Sequence, residues 1–357
     1  MRIALVHDWL NNLGGAERVL VELHRIFPNA PIYCLFYNTK FVREHLPNAK
    51  IITSRLQKFP LITKTYPLLL PLMPSAIESF DMSEYDAVIS SSVIFSKGLV
   101  LKPKTKHICY CYSPTRFLWD RHTEYAHSSW PAKFAQHLLR VWDRQASDRV
   151  DEFVAISEHV RDRIKKYYRR DSKIIYPPIT ITTSHVVNAK NVDNLGYYLI
   201  VSRLFPFKNI DIAIDAFNKL GYKLVVVGVG PDKVRLKKMA GKNVKLVGYK
   251  SDEQVAEYYQ NCTAFIMPQE EDFGLTPLEA MSFGKPILAL KKGGALETIT
   301  ESLHGEFFDD PIPEAVADGV RRLNENYLAY NERELKYQAL KFSQDRFKRE
   351  ITALLDN

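Results

Sequence analysis

Residues 197–227 read YYLIVSRLFPFKNIDIAIDAFNKLGYKLVVV. The run Tyr197–Val201 is continuously apolar, residues 202–209 mix cations, aromatics and a proline, and Ile210–Leu220 repeats apolar residues at helical spacing. Gly221 can end that helix in a left-handed conformation, and Lys223–Val227 is again apolar. This is a strand–loop–helix–strand unit, and the chain beyond it repeats the theme. Helix 232–239, strand 244–247, helix 252–259, strand 264–267, helix 277–283, strand 286–290 and helix 313–326 follow in strict alternation. Such alternation predicts parallel βαβ units, with helices on both faces of a twisted sheet.

The first half carries the same signature. Residues 3–6 are apolar and end in His7-Asp8; Gly14-Gly15 then precede a helix whose Ala16, Val19, Leu20, Leu23, Ile26 and Phe27 form one face. Strands are predicted at 32–36, 86–90, 107–112 and 152–156, and a helix at 160–168. Residues 180–194, rich in Thr, Ser and Asn, read as an interdomain connection. The expectation is an α/β chain of two doubly wound, Rossmann-like domains, 1–185 and 195–335, facing across a cleft. Residues 332–355 read as helical, and 336–357 are expected to cross back to the first domain. Ligands in such sheets sit beyond the carboxyl ends of the strands, so the loops after Val6, Val201, Val227, Val247, Met267 and Leu290 are the candidate sites.

Composition narrows the function classes. In 357 residues, 46% hydrophobic and 25% charged, nothing points to a collagen-like, low-complexity or disordered chain. Lys plus Arg exceed Asp plus Glu by 49 to 41, a net charge of +8 that suits an anionic partner. Cys34, Cys109, Cys111 and Cys262 lack CxxC spacing, which supports neither a zinc site nor a disulfide framework and fits a reducing cytoplasm. The start MRIALVHDWL turns polar too soon for a signal peptide, and the apolar stretch 66–73 is broken by Pro67 and Pro71 and is far too short to span a bilayer.

Three loops hold residues with chemistry. Arg203 and Lys208 flank the N-terminus of a helix, where free amides and the dipole favour anions; they suit a diphosphate, and equally well a solvated surface or ion pairs. Glu270, Glu271 and Asp272 crowd carboxylates before Phe273-Gly274-Leu275, and sugar hydroxyls are donors that carboxylates bind. Thr276-Pro-Leu-Glu279 also fits a capping box with Thr276 as N-cap, which would account for Glu279 without a ligand. Gly14-Gly15 and Gly293-Gly294 permit close approach to backbone or simple tight turns. No G-x-G-x-x-G follows a strand and no Walker motif occurs, so dinucleotide and P-loop readings fall.

Five segments together resemble the retaining family-4 glycosyltransferases of the GT-B fold, in particular the mannosyltransferase-like branch of bacterial surface-polysaccharide synthesis. They are HDWLNNLGGAERVL, YCYSPTRFLWD, VAISEHVRDRI with IIYPPI, VSRLFPFKNID, and the Glu271-to-Glu279 segment with GKPILA. The resemblance runs from Met1 to about Phe308. It implies transfer of a hexose, mannose from GDP-mannose, to a lipid-linked or oligosaccharide acceptor. Arg203 and Lys208 would hold the donor diphosphate, Glu271 the sugar hydroxyls without a covalent intermediate, and Glu279 the ribose. The backbone at Gly248-Tyr249 would meet the base, Phe273, Gly274 and Leu275 would lie along sugar and phosphate, and Gly14-Gly15 would close over the donor. Asp8, Tyr112 and Arg116 mark the acceptor region, with Tyr112 standing where relatives commonly carry His. Neither metal nor cofactor is expected, and no nucleic acid.

The segment 55–80 and the basic residues Arg161, Arg163, Lys165, Lys166, Arg169 and Arg170 fit docking at an anionic membrane, on its cytoplasmic face. They fit equally a helical hairpin and a solvated helix face. Two competitors share part of this signature. A nucleotide-sugar 2-epimerase would use the same fold on the donor alone, and a non-catalytic polyanion binder would use the charge alone.

Overall fold

The computed structural model describes residues 1–122, 130–186 and 196–356. The chain divides into two compact units, one of Met1–Pro177 with Phe347–Asn357 and one of Pro178–Arg346. The first holds β1 (Ile3–His7), β2 (Ile32–Cys34), β3 (Ile51–Thr53), β4 (Ala87–Ser92), β5 (Lys106–Cys111), β6 (Glu152–Ala155) and β7 (Ser172–Ile174). Their order is β3-β2-β1-β4-β5-β6-β7, and every pairing is parallel. Ala4, Leu5 and Val6 of β1 are wholly buried, as a central strand covered on both faces requires.

The second unit holds β8 (Tyr197–Val201), β9 (Lys223–Val227), β10 (Val244–Gly248), β11 (Cys262–Met267), β12 (Ile287–Leu290) and β13 (Gly305–Phe308). The order β10-β9-β8-β11-β12-β13, again parallel throughout, reverses direction between β8 and β11. That reversal is the topological switch point, and the loops leaving β8 and β11 carry the Arg203–Lys208 and Glu271 segments. Helices Ile210–Leu220 and Pro313–Glu325 supply Ile214, Phe217, Val316 and Val320 to the core against Tyr198, Val226 and Leu288.

The boundaries differ from the sequence expectation. The second unit begins near Pro178, not after 185, because the Ile179 amide donates to the Phe342 carbonyl at 2.9 Å and the turn Thr183–His185 packs on helix Asp252–Asn261. Residues 187–194 of the expected connection lie outside the described residues. The segment read as one C-terminal helix is two, Glu332–Leu340 and Gln344–Ala353. The first stays on the second unit against helix Leu275–Ser282; the part that belongs with the first unit starts only at Phe347, whose buried ring meets Tyr110. The helix predicted at 160–168 runs from Glu158 to Arg163 and continues through a widened turn, Ile164–Tyr168. Among the described residues, no helix is long and apolar enough to cross a membrane.

Candidate functional site

At the switch point of the second unit, residues Pro206–Lys208 form one tight turn and Asn209, left-handed at φ 52°, starts helix Ile210–Leu220. The Asn209 side-chain Nδ2 donates to the Pro268 carbonyl at 3.2 Å and so ties the loop after β8 to the loop after β11. Across that tie the Lys208 ammonium, only 7% exposed, donates to Glu271 Oε1. Gln269 Nε2 donates to the same oxygen at 2.8 Å, which leaves Glu271 Oε2 without a partner among the described residues. Arg203 lies exposed with its guanidinium over Phe205, and it makes no ion pair among the described residues.

Burial alone would raise the Glu271 carboxyl, but the Lys208 charge and hydrogen bond, the Gln269 bond and the Arg203 charge outweigh it and hold it below the usual carboxylate range. Glu271 is therefore an anion matched by Lys208, and Arg203 is a second cation close enough to act on it. A cluster of this kind can accept a hydroxyl at Oε2 and an anion at the two cations at once.

The neighbouring loop is moulded to this one. Gly294 N–H donates to the Glu271 carbonyl at 3.0 Å, and a Cβ on Gly294 would stand 2.4 Å from Phe273 backbone, so only glycine allows the approach. Gly274, at φ 92°, opens helix Leu275–Ser282 with no side-chain cap, which leaves the Leu275 and Thr276 amides at its N-terminus.

One sequence expectation is corrected here. Thr276 is not the N-cap: the left-handed turn at Gly274 starts the helix earlier, so Glu279 lies inside it, 3% exposed, accepting from the Tyr259 hydroxyl at 3.0 Å. Phe273 offers a ligand its backbone and not its ring, which is buried against Phe342. Gly248 ends β10, and Tyr249 beyond it is exposed.

In the first unit the residues expected to meet an acceptor have other work. Asp8 is buried and its carboxylate accepts the amides of Val93, Ile94, Phe95 and Ser96, which fixes the turn after β4. Both of its oxygens are engaged there. Tyr112 shares a hydrogen bond with Ser91 Oγ at 2.9 Å and donates to the Ala16 carbonyl at 3.0 Å, while burial pushes its phenol well above the ordinary range. It too is a fastening. Arg116 donates to Asp120, which also pairs with Arg163, and remains partly exposed.

Gly14-Gly15 open helix Gly15–Ile26, and the Gly14 amide is already taken by Glu17 Oε2 at 2.9 Å. Glu17 Oε1 in turn lies 3.7 Å from His7 Nε2. Burial lowers the His7 pKa, but the nearby Glu17 carboxylate, with Asp8 and the bond to the Ser91 carbonyl, more than offsets this and raises it. Neither His7, Glu17 nor Gln269 stood out in the sequence; the Gly14-x-x-Glu17 spacing of a helix start was the one available signal. Among the described residues no group of three or more His, Cys, Asp and Glu is placed to hold a metal.

Comparison with known proteins meets this geometry from outside. Residues 13–182 match the model for Glycosyltransferase Family 4, and residues 183–341 that for Glycosyl transferases group 1. An uncharacterized glycosyltransferase of Methanocaldococcus jannaschii, MJ1178, is 24% identical over 195 residues, which cover 52% of this chain and about half, 53%, of that relative's length. The alpha-1,3/1,6-mannosyltransferase ALG2 of Candida glabrata is 24% identical over 360 residues, 84% of this chain and 78% of that one. Among solved structures, Anabaena Alr3699/HepE in complex with UDP superposes with a TM-score of 0.75 at 18% identity, covering 100% of both chains. The fold of these solved structures is GT-B, two parallel-sheet Rossmann-like domains.

Proposed function

Because the chain belongs to the glycosyltransferases, its first half to family 4 and its second to group 1, we propose that it moves a hexose from a nucleotide sugar to a lipid-linked or oligosaccharide acceptor with retention of configuration. GDP-mannose is the donor we assign, a choice supported by ALG2's being named a mannosyltransferase. The observation that carries the reading is the Lys208–Glu271 pair beside Arg203, which makes no ion pair among the described residues, at the switch point of the second unit.

In this reading the donor diphosphate is received by Arg203, Lys208 and the helix N-terminal amides of Leu275 and Thr276. As the sugar–phosphate bond lengthens, negative charge accumulates on the departing diphosphate. Cations already in place stabilise that charge more than they stabilise the ground state, which is what lowers the barrier. Glu271 Oε2 accepts a sugar hydroxyl and orients the ring, without forming a bond to the anomeric carbon. Departure and attack occur on one face. Glu279 takes the ribose, and the backbone at Gly248-Tyr249 the base. Membrane-face localisation belongs to this proposal through its lipid-linked acceptor.

Two measurements test the donor half. GDP-mannose at a hundred times its Kd stabilises the native state by about 2.7 kcal/mol and raises the melting temperature; GDP-mannose is expected to exceed UDP-glucose and ADP-glucose in that assay, and Arg203→Ala to remove the shift. No shift with any nucleotide sugar would refute the proposal. Glu279→Gln keeps a side chain that can bond Tyr259 but weakens the ribose contact. It should leave the melting temperature of the ligand-free enzyme within a degree or two and lower donor affinity roughly tenfold, one charge-assisted hydrogen bond's worth. A fall in melting temperature with unchanged affinity would make Glu279 purely structural.

A further inference from the structure

Gln269 follows the end of β11 by two residues and is only 3% exposed. The loop around it is fixed on both sides, by the Asn209 side chain at the Pro268 carbonyl and by the Gly294 amide at the Glu271 carbonyl. One orientation is open to its own amide. Glu271 is a carboxylate and only accepts, so the group that meets its Oε1 at 2.8 Å must be the amide NH2 of Gln269. The carbonyl of that amide is left buried, with no hydrogen-bond partner among the described residues. Turning the amide over would set two acceptors against each other.

An unmet buried acceptor is unfavourable, and nearly all such groups in native proteins are met. A methionine would fill the same space without that cost. The Lys208 ammonium, which shares Glu271 Oε1 with the amide, does not reach the Gln269 carbonyl. Yet the carbonyl lies beside the open part of the cluster. Covalent geometry keeps it within about 5 Å of Glu271 Oε1, and the Glu271 side chain is 25% exposed. Two acceptors, Glu271 Oε2 and Gln269 Oε1, are thus joined through one hydrogen bond and both lack a donor among the described residues. Sugar hydroxyls are the donors that the proposed reaction brings to Glu271.

We propose that Gln269 sets the donor-sugar specificity of this site: its amide carbonyl accepts one hydroxyl of the transferred hexose, while its amide NH2 holds Glu271 so that Oε2 accepts another. The inference rests on the transferase reading above and adds to it the requirement for a second hydroxyl. Acceptors fixed in this way select a sugar with donors at both places. A sugar that lacks either one leaves a buried acceptor unpaired, and the site rejects it. The bond from the amide NH2 has a second effect. It favours the charged form of Glu271, so losing it lets that carboxyl titrate at higher pH.

Calorimetric titration of the full chain tests this with GDP, GDP-mannose and the analogues of GDP-mannose that lack each of the four sugar hydroxyls in turn. The parent should bind two of the four analogues about tenfold more weakly than GDP-mannose, one penalty arising at Glu271 and the other at Gln269. Gln269→Met, close to the parent in length and volume, should bind GDP as the parent does. It should bind GDP-mannose about tenfold more weakly and no longer tell it from one of those two analogues. The acid limb of its GDP-mannose binding should move to higher pH, which a change confined to packing would not produce. Should the Met variant not fold, Gln269→Asn, which keeps the amide but withdraws it by one methylene, is expected to lose the same discrimination. The proposal is overturned if the analogues carry the same penalties in parent and variant, or if GDP binding falls as far as GDP-mannose binding. Absence of any binding by the parent overturns the donor reading and this inference with it, whereas an unchanged pattern of penalties overturns only the role of Gln269.

Discussion

Purified Lys208→Ala is expected to turn over about 10²–10³-fold more slowly than the parent, since a charged group aimed at the leaving diphosphate is removed from a preorganised site. Most of that loss should appear in kcat, because charge on the diphosphate grows toward the transition state. The same substitution strips Glu271 of its buried counter-ion and leaves Gln269 as the remaining donor to Oε1 among the described residues. With Lys208 present, the Glu271 carboxyl titrates below its unfolded value, so the pair contributes stability above the ordinary carboxylate range and loses it as pH falls through the depressed value. Lys208→Ala should flatten that acid-side dependence. The pair Lys208→Met with Glu271→Gln separates the two effects. It restores the stability lost on removing Lys208 but not the turnover, whereas near-parental kcat in Lys208→Ala would strip Lys208 of its phosphate role.

The second unit was readable because its chemistry sits on local signals. β8 is five apolar residues in a row, buried on both faces by helices, and the structure gives it the bounds that the letters predict. Arg203 and Lys208 follow within seven residues, and β11 delivers Glu271 beside them only through strand order, which alternation of elements already implies. The first unit was harder. Helix Trp130–Ser147 carries a helical period in Trp130, Phe134, Leu138 and Val141, but that period alone does not say that these residues face outward while Gln136, Arg140 and Asp143 face in. Strands β3 and β7, three residues each, are too short to show a period. Asp8 and Tyr112 entered the acceptor region only through the resemblance; that their partners are amides 85 or more residues away, and a carbonyl 96 away, is a fact of tertiary folding. Glu279 fell between the two, since one left-handed glycine moved the helix start.

The largest stability effect should come from a carboxylate remote from that chemistry. Asp143 is fully buried, 2.6 Å from the Lys97 ammonium, and also accepts Thr115 Oγ1, the Trp119 indole and the Tyr168 hydroxyl. Burial lowers the Lys97 pKa, but the charge and hydrogen bond of Asp143 outweigh it and raise it, so the ammonium is fully charged at neutral pH and its contribution is lost only as pH climbs through the raised value. Asp143→Asn keeps the size but turns one of the two acceptor oxygens into a donor and leaves that cation without a counter-ion, which should cost about 3–5 kcal/mol. Replacing both partners, Lys97→Met with Asp143→Leu, should recover most of it, because two charges then leave the interior together. The measurement has a natural reporter. All four tryptophans, Trp9, Trp119, Trp130 and Trp142, lie in the first unit, so their fluorescence follows its unfolding alone. A loss under about 1 kcal/mol in Asp143→Asn, the size expected of a surface pair, would mean that the ion pair does not anchor this unit. A large loss with donor-induced stabilisation of the second unit intact would show that the segment from Thr115 to Trp119 is held from behind by helix Trp130–Ser147, independently of the diphosphate cluster.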